Sequence, residues 1–195
     1  MLFRSRANAA GVQARASQAE AERAANSTRR TLDYVVTIFG RANPEKVLGR
    51  DMTPRMLVDE AAQELDVRLA GEPAARRAMQ VVLGKVYLSL GASGDALAML
   101  DAAVKDVTPG SREEALWLAD AQSERSGAAQ DNDDFAAASA AARIAAGLRD
   151  RWAPEDPLQR LRSLDEQAWA AMLDGDQDAA RRLWNRSIAA ARDTA

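Results

Sequence analysis

Asp131-Asn132-Asp133-Asp134 is a run of hard oxygen donors, the kind of ligand set that calcium takes. An EF-hand loop needs glycine at its sixth position and a bidentate glutamate at its twelfth. Counted from Asp131, those positions hold Ala136 and Ala142. The run therefore reads as a solvated loop whose acids cap the next helix. Asp174-Gly175-Asp176 reads as another acidic turn, and Glu113-Glu114 as a helix start favoured by the helix dipole. None of these carboxylates has a partner suited to tune it as a catalytic acid or base. The chain contains neither cysteine nor histidine. That excludes thiolate catalysis, disulfides, Cys/His zinc sites and hydrolases that need an imidazole base. A helical bundle binding metal through carboxylates would use Glu-x-x-His motifs, which histidine-free sequence cannot supply. The expectation is no catalytic residue, no metal ligand and no cofactor, and hence a non-enzyme.

The elements that carry these turns are expected to be helices. Alanine supplies much of the 47% hydrophobic content, and aromatics only 5%. No alternating strand pattern flanked by turn residues occurs, so the fold class is all-α. Thr53-Pro54 starts a helix carrying Leu57, Ala61, Leu65 and Leu69; Gly71 stops it and Pro73 opens the next. Further helices are expected over Ala74–Leu90, Asp95–Val107, Phe135–Arg151, Leu158–Leu173 and Gln177–Arg192. Ser111-Arg112-Glu113-Glu114 fits a capping box for a helix that fades at Gly127. Gly91, Asp133 and Gly175, successively 42 residues apart, each sit at a turn before a second helix. The same step carries Ala96 to Ala138 and Ala180, and Leu100 to Ala142 and Trp184.

Leu83, Gly84, Tyr87, Gly91, Ala96, Leu100 and Ala103, followed by Pro109, are spaced as in a tetratricopeptide repeat. The chain resembles that family, whose helix–turn–helix units of about 34 residues stack into a solenoid. The first unit matches closely. The second and third rest on spacing, because Ser126 and Ala168 replace Gly84, and Ala129 and Ala171 replace Tyr87. The resemblance implies a tetratricopeptide-type solenoid over residues 74–195, about three helix pairs, with capping helices over 31–73. It also implies a concave groove lined by the first helix of each pair, holding a protein or peptide ligand. By spacing, Lys85, Leu88, Arg162, Trp169 and Met172 face that groove; the alternative assigns Trp169 and Met172 to the core. Trp184 is assigned to packing between paired helices.

Residues 1–30 form a basic, Ala/Arg-rich helical stalk with six arginines and two acids, a balance of +4 that leaves −7 on the remainder. A solvated stalk is preferred to a juxtamembrane basic segment, and the acidic remainder argues against nucleic acid. Leu32, Val35, Val36 and Phe39 make its end amphipathic. No apolar stretch reaches the roughly 20 residues of a membrane span. Leu2-Phe3-Arg4-Ser5 matches the translated end of a sequencing adaptor, so a truncated start is expected. Glu20–Leu100 resembles the segment beyond the membrane helix in bacterial serine/threonine protein kinases with repeat tails. The matching order is stalk, Leu32–Phe39, Asn43-Pro44, Thr53-Pro54-Arg55, Leu57–Leu69, Gly71-Glu72-Pro73 and Leu83–Tyr87. Kinase catalytic motifs are absent. The resemblance implies a protein-interaction scaffold acting as the non-catalytic sensor or docking tail of a membrane-anchored kinase, on the extracytoplasmic side. The alternatives are the repeat domain of a membrane-linked transcription regulator, and a free-standing adaptor or structural spacer, for which the cytoplasm is the expected compartment.

Overall fold

The computed structural model describes residues 53–193. The stalk over residues 1–30, the segment Leu32–Phe39 and the Asn43-Pro44 loop lie outside the described residues. Those described form helices α1 (Pro54–Arg68), α2 (Pro73–Ser89), α3 (Ser93–Val104), α4 (Arg112–Asp131), α5 (Phe135–Trp152), α6 (Pro157–Leu173) and α7 (Gln177–Asp193). There is no strand among them, so the described chain is all-α. The chain divides within α2 into two compact units, the first ending at Met79 and the second beginning at Gln80.

In the first unit Thr53 caps α1, its hydroxyl accepting from the Met56 N–H at 3.2 Å, with Pro54 at the helix start where a missing N–H costs nothing. Val58, Ala61, Leu65 and Leu69 form one buried stripe at helical spacing, joined by Ala75 and Met79. An Arg76–Asp66 ion pair of 3.3 Å ties α2 to α1.

In the second unit consecutive helices pack on one another: α3 on α4, α4 on α5, α5 on α6 and α6 on α7. The 42-residue step has a backbone cause. Gly91, Asp133 and Gly175 all adopt positive φ, at 72°, 61° and 85°. After each, the next N–H closes on a carbonyl five residues back: Ala92 on Tyr87, Asp134 on Ala129 and Asp176 on Ala171, every one at 2.9 Å. This is a Schellman-type ending, which satisfies orphan carbonyls of the outgoing helix and turns the chain back. The architecture is thus a run of repeated helical hairpins.

The repeat extends to packing. A Cβ on Gly84 would stand 2.8 Å from Leu100 Cγ and 3.3 Å from the Ala96 carbonyl, so α2 and α3 meet where only glycine fits. One step later Ser126 Oγ donates to the Ala138 carbonyl at 2.8 Å. A small group is again needed, and here it adds a hydrogen bond. Ala168 is fully buried at the third such position. Leu83, Tyr87, Ala96, Leu100, Ala103, Ala138 and Ala180 are buried as expected, and Trp184 is half-buried.

Two boundaries differ from expectation by three residues or more. Helix α4 does not fade at Gly127 but runs on to Asp131. Ala128 and Ala129 in that turn are completely buried, and their packing outweighs the roughly 1 kcal/mol that a helical glycine costs. Helix α3 stops at Val104 rather than Val107: Ala103 is its last buried residue, and Lys105 is already extended. The capping at Ser111 also has a twist. Its hydroxyl accepts from the Glu114 N–H at 3.2 Å, while Glu114 reaches back past Ser111 to the Gly110 N–H at 2.7 Å.

The repeat exposes one missing cap. Asp134 accepts from the Ala137 N–H at 3.0 Å, and Asp176 from the Ala179 N–H at 2.9 Å. The equivalent residue in the first hairpin is Ala92, with φ −100° and ψ 63° against −91° and 73° at Asp134, and no side-chain cap. Ala92→Asp is therefore expected to raise stability by about 1 kcal/mol, read as a higher urea midpoint at unchanged slope.

Candidate functional site

The first helices of the three hairpins, α2, α4 and α6, send side chains into one groove of about 510 Å³. Lys85 comes from α2, Asp120, Ser123 and Glu124 from α4, and Arg162, Asp165, Glu166 and Trp169 from α6. Arg149 enters from α5, the second helix of its pair. A depression of about 390 Å³ adjoins it, sharing Ser123, Glu124, Glu166 and Trp169 and adding Leu88 and Gln130.

Charged contacts link the helices across this groove. Lys85 Nζ lies 2.7 Å from Glu124 Oε1. Asp120 Oδ1 accepts from both Arg149 Nη2 at 2.7 Å and Arg162 Nη1 at 3.1 Å. Asp120 and Arg162 occupy the same position one 42-residue step apart, so the repeat itself aligns opposite charges on neighbouring helices. Arg149 is only 2% exposed, on a helix whose other buried residues are all alanine or serine. Its Nη2 also donates to Ser123 Oγ at 3.3 Å, and its Nη1 stands 4.0 Å from Glu166 Oε1.

Glu166 accepts a hydrogen bond from the Ser123 hydroxyl. Burial pushes its carboxyl above the ordinary range, the Ser123 bond and Arg149 oppose that, and Asp165 and Asp120 add to it. A carboxyl raised in the folded state favours folding when protonated. That contribution is complete below the unfolded-state value and is lost as pH rises through the folded-state one. Glu166→Gln is therefore expected to gain stability relative to the parent as pH is raised from the acid range to neutrality. Urea midpoints at the two ends check this: a difference that stays constant with pH would show that Glu166 ionises freely in the fold.

Trp169 is 45% exposed and meets Trp184 of α7 edge to face, with ring centroids 5.8 Å apart and planes at 89°. Trp184 thus packs across the α6–α7 hairpin and braces the tryptophan at the groove. Of the five residues read as groove-facing, Lys85, Arg162 and Trp169 line the larger groove, and Leu88 joins Trp169 in the adjoining depression. Met172 lines neither and is 37% exposed, so the alternative that puts Trp169 and Met172 in the core fails for both. Asp120, Ser123, Glu124, Arg149, Asp165 and Glu166 escaped the sequence reading. The 42-residue relation of Asp120 to Arg162 was a usable signal; an arginine on an Ala-rich second helix looks solvated, and nothing local marks Arg149 as buried.

Among the described residues no three acidic, His or Cys side chains are placed to hold a metal ion. None of the described helices is long and apolar enough to cross a membrane. No protein-family model matches the chain, and no curated protein matches it.

Proposed function

We propose that the repeated hairpins form a tetratricopeptide-type scaffold that holds an extended segment of another protein in the groove between Lys85 and Trp169. The observation that carries this is the convergence of α2, α4 and α6, each the first helix of its hairpin, on one groove ending at a half-exposed tryptophan. Tryptophan and arginine are the side chains most often found to anchor protein partners. A groove with few anchors gives modest affinity and tolerates several ligands.

Peptides selected from a random library against the full chain test this. Lys85→Ala, Arg162→Ala and Trp169→Ala together are expected to weaken the selected peptides about 30-fold or more, since one anchor commonly contributes about 2 kcal/mol. Equal binding to parent and triple variant would place recognition elsewhere.

The resemblance of Glu20–Leu100 supports a finer reading, a non-catalytic tail of a bacterial membrane-anchored serine/threonine protein kinase. The coding sequence upstream of Met1 tests it. Kinase motifs followed by a membrane helix would support it; a winged-helix domain would favour the transcription-regulator alternative instead.

A further inference from the structure

The charges lining the groove are unevenly satisfied. Lys85, Arg149 and Arg162 are its cations; Asp120, Glu124, Asp165 and Glu166 are its carboxylates. Each cation already faces a carboxylate of this chain, Lys85 on Glu124 and both arginines on Asp120. Asp165 and Glu166 remain. Asp165 is exposed and has no hydrogen-bond or ion-pair partner among the described residues. Glu166 takes the Ser123 hydroxyl, which leaves most of the roughly four acceptor positions of a carboxylate open. Its distance from Arg149 Nη1, 4.0 Å, is too long for a hydrogen bond. Both carboxylates sit one turn before Trp169 on α6, beside its exposed indole. Beneath them the buried Arg149 has no acceptor for Nε or Nη1. This end of the groove is short of a cationic donor at its rim.

We propose that it receives an arginine of the partner segment, the guanidinium lying on Trp169 between Asp165 and Glu166. The inference rests on the groove being the binding surface. Arginine fits that demand: its planar fork pairs with carboxylates and its face stacks on indole. An acidic segment fits poorly. The cations it would need are already paired, and residues 80–195 carry 13 Lys and Arg against 19 Asp and Glu, a net −6. Ser123 and Asp120 of α4, Arg149 of α5 and Asp165 of α6 surround Glu166. A guanidinium arriving there favours the ionised carboxyl against its burial, so affinity falls as pH drops and Glu166 protonates.

Fluorescent oligoarginine, oligocitrulline and oligoglutamate of equal length, titrated against the full chain by anisotropy, test the proposal. Oligoarginine is expected to bind at least about tenfold more tightly than its neutral isostere, and to weaken as pH is lowered from neutrality into the acid range. Asp165→Asn with Glu166→Gln is expected to lower that affinity about tenfold. The charge-matched change Asp106→Asn with Glu113→Gln, at exposed acids that line neither the groove nor the depression, is expected to alter it by no more than about twofold. Trp169→Phe keeps most of the affinity and Trp169→Ala loses it; circular dichroism confirms that each variant is folded. Equal losses from the two acid pairs would reduce the effect to general charge attraction and overturn the proposal, as would tighter binding of oligoglutamate. If library-selected peptides lose affinity for the Lys85/Arg162/Trp169 variant but not for Asp165→Asn/Glu166→Gln, the groove stands and the arginine site falls. If neither variant affects them, both fall.

Discussion

Leu100→Ala is expected to lower the unfolding free energy by about 3–5 kcal/mol. Leu100 has no exposed surface, and its Cγ lies where a Cβ on Gly84 would collide. Truncation removes the transfer free energy of the buried carbons and leaves a cavity on the α2–α3 contact. Collapse into that cavity is restricted, because Ala96 and Ala103 on the same face are already fully buried. The loss should appear as a lower urea midpoint with unchanged slope. A cost under about 1 kcal/mol would mean that α2 closes onto α3 once the side chain is gone.

Gly84→Leu is expected to cost about 3 kcal/mol, at the upper end of overpacking changes. Leaving glycine gains about 1 kcal/mol of helix propensity, but the new Cβ alone would stand 2.8 Å from Leu100 Cγ. The obstacle is the branch point of a fully buried side chain, not a flexible tip, so the helices must separate. Gly84→Ala in a Leu100→Ala background separates the two causes. There the added methyl faces the cavity, and the double variant should lose less than the sum of the single changes. Strict additivity would show that the two residues do not share the contact.

The parts of the fold legible from sequence are those with local causes. Thr53, Asp134, Asp156 and Asp176 cap helices because a short oxygen side chain reaches an orphan N–H two or three residues on. The 42-residue step was legible because a positive φ must fall on glycine or a tolerant residue such as aspartate. A third of the groove lining was legible as well. Helical spacing and the repeat resemblance put Lys85, Arg162 and Trp169 on first-helix faces, and those faces converge. The same spacing put Met172 among them, although it lies outside both linings, since the register of a face does not say where a groove ends.

Sequence alone therefore determined the helical class, the turn positions, most helix starts and the small residues at the hairpin contacts, because each follows from the conformational limits of a few neighbouring residues. Tertiary structure decided how far α4 runs past Gly127, where burial of Ala128 and Ala129 overrides the glycine. It also decided which charges are satisfied. Arg149 meets Asp120 from 29 residues away, and Ser123 meets Glu166 from 43. Burial of a guanidinium and the leaving of Asp165 and Glu166 with spare acceptors depend on helices brought together over those separations, and desolvation is a property of the packed surroundings rather than of the residue itself.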